Sequence, residues 1–182
     1  MAGADRMDLV IAVDDPGTDD VRALLECHLA FAREVTPPGH VHALDADGLM
    51  DPAITLFSAR RVGVLLGVGA LSRLDEAHAE LKSMHTSEAA RGLGVGRAMV
   101  DHILAFAAER NYTRVSLETG TMAAFAPARS LYSKLGFVPC EPFGDYTGNR
   151  HSVCMTIDLS RGRGSGRRAA ARSQSRGPAR ES

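Results

Sequence analysis

The chain has no apolar run near the ~20 residues needed to span a bilayer, so neither a membrane helix nor a membrane partner is expected. Its first residues, Met1 to Arg6, hold no apolar stretch of the kind a secretory signal carries, which gives the expectation of a cytoplasmic protein. Cysteine is scarce. Cys27, Cys140 and Cys154 are odd in number and show no C-x-x-C spacing. That pattern argues against a disulfide framework or a zinc site and leaves buried free thiols as the expectation. The histidines, His28, His40, His42, His78, His85, His102 and His151, show no metal-ligand spacing either, so no metal is expected. No internal repeat is present, and no lysine follows the glycines at 92–96, which excludes a P-loop.

What is present is globular. The 182 residues are 45% hydrophobic and 24% charged, enough for one domain with a proper core. The net charge of −1 hides an asymmetry. Residues 161–182 carry seven of the 21 basic residues and one of the 22 acidic ones, Glu181, which leaves 1–160 with 14 basic against 21 acidic. The tail is Arg, Gly, Ser and Ala without a large apolar residue, so it cannot bury enough surface to offset its ordering entropy. The expected organisation is a folded domain over 1–160 and a disordered tail over 161–182. Nucleic acid is not the expected partner, although the basic tail leaves it open.

Read in order, Asp8–Val13 is a strand, and a helix capped by Thr18 or Asp19 runs to about Glu34. Thr36-Pro37-Pro38-Gly39 stops it. A short second helix is read over Leu44–Met50, and strands over Ile54–Arg60 and Val64–Leu71 form a hairpin through Arg61-Val62-Gly63. A strand over Ala79–His85 and a helix from Val95 to Arg110 follow. Further strands are read at Thr113–Glu118 and His151–Leu159, with a helix over Ala128–Leu135 between them and an extended segment from Phe137. The alternation predicts an α/β (α+β) sandwich, a mixed sheet with helices on its faces.

The stretch Ala79–Arg97 organises the rest. Leu81 and Met84, its bulky apolar residues, lie three apart, which a regular strand sends to opposite faces. A bulge near Lys82-Ser83 brings both to one face and leaves N–H groups near Met84 and His85 unpaired. The turn Arg91-Gly92-Leu93-Gly94-Val95-Gly96-Arg97 then opens an amphipathic helix. Uncovered N–H donors, the helix dipole and two arginines make a receptor for phosphate or pyrophosphate. A dinucleotide fingerprint fits poorly, because Arg97 stands where the third glycine belongs and six residues separate His85 from Gly92.

Arg91-Gly92-Leu93-Gly94-Val95-Gly96 matches [QR]-x-x-G-x-[GA], the signature of the GNAT superfamily of acyl-CoA-dependent N-acetyltransferases. Glu80–His85 resembles that family's bulged central strand, and Ala128–Phe137 is similar to its A-x-x-L-Y-x-K-x-G-F segment. The resemblance spans about 8–159 and implies a GNAT fold of six to seven strands with a splayed central pair. One departure is plain: Phe125 stands where relatives often carry an asparagine on the pantetheine arm. The ending Pro142-Phe143-Gly144-Asp145-Tyr146 resembles a subgroup of small bacterial members, most of them without an assigned substrate.

The resemblance implies acetyl-CoA as co-substrate, held by Met84, His85, Arg91, Gly92, Leu93, Gly94, Val95, Gly96, Arg97, Ala128 and Tyr132. A lysine-like amine titrates near ~10.4, so holding it neutral at pH 7 costs about 4–5 kcal/mol. Glu80 and Glu118 are the carboxylates best placed to help as base. Tyr132 matches the family's general acid. The family's acceptor region falls near the end of the first helix, so His28, Arg33 and Glu34 are acceptor candidates, Arg33 for a carboxylate. No Cys or Ser stands in an activated setting beside a His–acid pair, which points to direct attack. The expected reaction is acetyl transfer to a primary amine of a small molecule or amino-acid derivative. A protein lysine or N-terminus, or a catalytically silent acyl-CoA-binding module, are the alternatives, and a homodimer is left open.

Overall fold

A computed structural model describes residues 8–160; the tail that the sequence sets apart lies outside the described residues. Seven strands form one mixed sheet in the order β1-β2-β3-β4-β5-β7-β6. They are β1 (Val10–Val13), β2 (Ile54–Arg61), β3 (Val64–Arg73), β4 (His78–Thr86), β5 (Arg114–Gly120), β6 (Val138–Cys140) and β7 (Ser152–Asp158). All neighbours are antiparallel except β4 and β5. The helices are α1 (Asp19–Val35), α2 (Val95–Glu109) and α3 (Ala126–Lys134).

Period-2 alternation in the strands sorts the core into two layers. Phe57, Ala59, Leu71, Leu81, Val115 and Leu117 face α2, against Val95, Met99, Val100 and Ile103. Leu56, Val68 and Ala70 face the other way, against Val21 and Leu25 of α1 and Leu49. Each fully buried aliphatic side chain contributes roughly 1.5–3 kcal/mol, so the apolar stripe of α2, whose Met99, Val100 and Ile103 are fully buried, anchors the helix that carries the glycine-rich turn. Among the described residues no helix is long and apolar enough to cross a membrane.

Most of the expected elements are present within a few residues. The hairpin turns on Val62 (φ 52°) and Gly63 (φ 79°), with Arg61 paired to Val64 across it. Two differences stand out. The helix expected over Leu44–Met50 is a single 3-10 turn, Gly48–Met50, because Asp45 accepts the Gly48 N–H at 2.8 Å and closes a turn in place of a helix start. The three thiols are free, but only Cys154 is buried; Cys27 is exposed.

Candidate active site

The site begins where the sheet comes apart. β4 and β5 pair in parallel only over His78–Glu80 against Arg114–Ser116. Beyond Glu80 and Ser116 the two strands separate, and the edges of β4 from Leu81 and of β5 from Leu117 lose each other as hydrogen-bond partners. The expected bulge is in place: between the pairs Val68–His85 and Ala70–Lys82, Gly69 alone faces Ser83 and Met84. Ser83 takes a left-handed φ of 53°, and Leu81 and Met84 both join the α2-side core. Gly69 leaves room for the Met84 side chain, since a Cβ on it would lie 2.4 Å from the Met84 Sδ.

A cleft with about 760 Å³ of empty space, part of it open to solvent, lies at this separation. α1 supplies His28 and Ala32, one turn apart on one stripe, and its C-cap Thr36 lies beyond them, while β4 and β5 supply Glu80 and Glu118. Glu80 is 4% exposed, and both its oxygens are engaged. Lys82 Nζ donates to Oε2 at 3.0 Å, and the Tyr146 hydroxyl donates to Oε1. Burial pushes the Tyr146 phenol up, with the neighbouring Glu80 adding to it. Glu118 is less constrained: burial raises its carboxyl above the ordinary value, against a hydrogen bond from Ser152. Tyr132 is 7% exposed at the cleft wall, and burial raises its phenol so that it stays protonated. Burial, with His85 nearby, lowers the His28 imidazole to about 4, so it is neutral at physiological pH.

Past Thr86 the chain reaches the glycine-rich turn. Gly92 (φ 76°) and Gly94 (φ 81°) are left-handed, and among the described residues a Cβ on either would meet nothing within 4 Å, which leaves room for a ligand. Gly94 is the N-cap of α2, and the Ala98 N–H is bonded back to its carbonyl at 3.0 Å. The N–H groups of Val95, Gly96 and Arg97 precede the first intrahelical bond and point out of the helix start. Arg91 and Arg97 are exposed on either side, Arg97 at 3.6 Å from Asp101. Leu131 of α3 lies beside Gly96, so α3 borders both the turn and the cleft.

The model of the acetyltransferase (GNAT) family matches residues 21–137. The chain belongs to the GNAT family of acetyltransferases. It is 44% identical over 149 residues to the uncharacterized N-acetyltransferase YsnE of Bacillus subtilis, covering 82% of this chain and 99% of that protein. It is 41% identical over 149 residues to the uncharacterized N-acetyltransferase YedL of Escherichia coli, covering 82% and 94%. A solved GNAT acetyltransferase of Elizabethkingia anophelis with acetyl-CoA bound shares the fold, with a TM-score of 0.62, 18% identity and coverage of 83% and 97%. As a GNAT protein the chain is an acyl-CoA-dependent N-acetyltransferase.

The GNAT frame brings some predicted residues together and separates others. Glu80, Glu118, Met84, Ala128, Tyr132 and His28 line one cleft. His85 lies just outside that lining, its ring 5.2 Å from that of His28; burial, with Arg91 nearby, lowers its imidazole. Arg91 to Arg97 form the adjoining turn, in which Leu93 is exposed and Val95, the first residue of α2, is buried. Arg33 and Glu34 are exposed on α1 and do not line the cleft, because they lie about a quarter to a half turn of helix away from the Ala32 stripe. Phe125, in place of the frequent GNAT asparagine, covers Gly120 so closely that a Cβ there would lie 2.4 Å from its ring, and packs edge-on to Phe31 at 5.4 Å. The residues missed from sequence are Tyr146, His40, His42 and His151, whereas Lys82 as a pairing partner for Glu80 could be read from their spacing on one strand. Of these, only the Pro142–Tyr146 segment carried a signal.

Proposed function

We propose that the chain transfers the acetyl group of acetyl-CoA directly to a primary amine of a small molecule or amino-acid derivative. One observation supports this above the others: the divergence of β4 and β5 after Glu80 and Ser116 joins two freed strand edges, two carboxylates, a buried tyrosine and an open helix start. The open surroundings of Gly92 and Gly94 fit a diphosphate against the N–H groups of the α2 start. The amide-bearing arm of the coenzyme is complementary to the β4 and β5 edges, which present unpaired backbone donors and acceptors.

Each residue then has a distinct part. Glu80 is tied on both oxygens by Lys82 and Tyr146, so it positions these groups and is a poor proton acceptor. Glu118, with its carboxyl raised by burial, takes the proton from the acceptor ammonium. The freed amine attacks the thioester carbonyl, and charge develops on the oxygen near the N–H groups of Met84 and His85. Collapse breaks the carbon–sulfur bond, the Tyr132 hydroxyl gives its proton to the departing sulfur, and the attacking nitrogen loses its second proton as the amide forms, which restores the Tyr132 phenol. The test is a panel of amines with acetyl-CoA, read by released thiol. Turnover of small amines fulfils the proposal; acetyl-CoA binding without turnover of any amine favours a silent binding module and sinks it.

A further inference from the structure

Two residues that line the cleft each carry a buried polar atom without a hydrogen-bond partner among the described residues. Ser83 is 8% exposed and its Oγ has no partner among the described residues, and the Nδ1 of His28 is buried without one there. The two residues come from different elements, β4 and α1, and line the same cleft. Native proteins rarely leave buried polar atoms unpaired, so two in one cleft point to a ligand group that completes them. A hydroxyl both donates and accepts, and a neutral imidazole nitrogen does one or the other according to its tautomer.

The charge balance narrows that group. Lys82 is the one lysine or arginine among the described residues that line the cleft, and Glu80 already holds it at 3.0 Å. Glu118 therefore has no lysine or arginine of its own in the cleft lining. Arg33, the cation that the sequence offered for an acceptor carboxylate, is exposed and outside the lining. Among the described lining residues a carboxylate entering here would meet no free lysine or arginine and would face Glu118, a like charge in a part-buried site.

Resting on the transferase reading above, we infer that the acceptor is an amine cation bearing a neutral hydrogen-bonding group, a hydroxyl or carboxamide, and no free carboxylate, with Ser83 Oγ and His28 Nδ1 pairing that group. Glu118 attracts the ammonium, and the two unsatisfied atoms fix the far side of the molecule. Ser83 and His28 are then specificity residues.

The experiment compares an α-amino acid with the amino alcohol and the amide of the same side chain, at pH 8. The amino alcohol and the acid have ammonium groups of similar acidity, so their ratio reports the neutral group. Turnover is read by released thiol, and binding to the protein saturated with coenzyme A by calorimetry. The expected result is a kcat/KM for the alcohol roughly tenfold or more above that of the acid. Ser83→Ala and His28→Phe should each shrink that ratio several-fold, while acetyl-CoA affinity and Tm hold. Acids used as well as alcohols, or a ratio unchanged in both variants, overturns the inference and leaves the transferase reading standing. Absence of turnover with every amine sinks that reading instead. Calorimetry then decides the inference alone: tighter binding of alcohol than acid supports it, and equal, reversed or undetectable binding overturns it.

Discussion

Replacing Tyr132 by phenylalanine removes one oxygen from the wall of the cleft. The ring keeps its edge contact with Phe137 at 5.8 Å, and burial, with no hydrogen bond beside it, is what shifts the phenol. Stability should therefore change by less than about 1 kcal/mol, since neither a cavity nor an unpaired partner is created. Coenzyme affinity should hold within about twofold on the same grounds. The chemical step is a different matter. Burial keeps the phenol protonated well past its ordinary value, so the wild-type side chain is a ready proton donor across the usable pH range. Loss of a positioned general acid lowers kcat about 10²–10⁴-fold. The assay is steady-state release of thiol, with calorimetry for acetyl-CoA and a thermal melt as controls. An acetyl thioester of a more acidic thiol leaves without help, so with that donor the deficit should shrink. A kcat within threefold of wild type would refute the proton-donor role, and so would an equal deficit with both donors.

Gly94→Val places a branched side chain at a φ of 81° and into the open space before the α2 start. Calorimetry should show acetyl-CoA affinity weakened by at least ~2 kcal/mol, the scale of lost charge-assisted hydrogen bonds. For Glu118, burial raises the carboxyl, so the active base form appears only as pH rises through that raised value. The acid limb of kcat/KM should lie above the ordinary carboxylate range and vanish in Glu118→Gln, as a pH–rate profile can read. Val62→Asn relieves a β-branched residue at φ 52° in the β2–β3 turn and supplies the Asn-Gly pair that such turns favour, so urea denaturation should show a gain of roughly 1 kcal/mol.

The parts of the fold that follow from local chemistry were legible in the sequence. The bulge at Ser83 was foreshadowed by Leu81 and Met84 standing three apart, because only an inserted residue reconciles that spacing with one buried face. The glycine-rich turn was legible because left-handed backbone and a helix start leave a mark in residue type. Tyr146 was not, since it meets Glu80 across 66 residues and its loop shows no periodicity that would aim it there. The same reason hid the orphan atoms of Ser83 and His28: lack of a partner is a property of the packed chain. Arg33 was chosen for its charge, and the helical phase that turns it away from the cleft was set by the packing of Val21, Leu25 and Ala32.

The central claim is that a bare, positively biased helix start and an opened strand pair hold acetyl-CoA in one orientation. A crystal structure with the coenzyme bound tests it most directly. The diphosphate should lie on the backbone N–H groups between residues 92 and 97, with the thioester carbonyl beside the N–H groups of Met84 and His85 and the sulfur within reach of Tyr132. A diphosphate bound elsewhere, or a thioester pointing away from the β4–β5 opening, would contradict it.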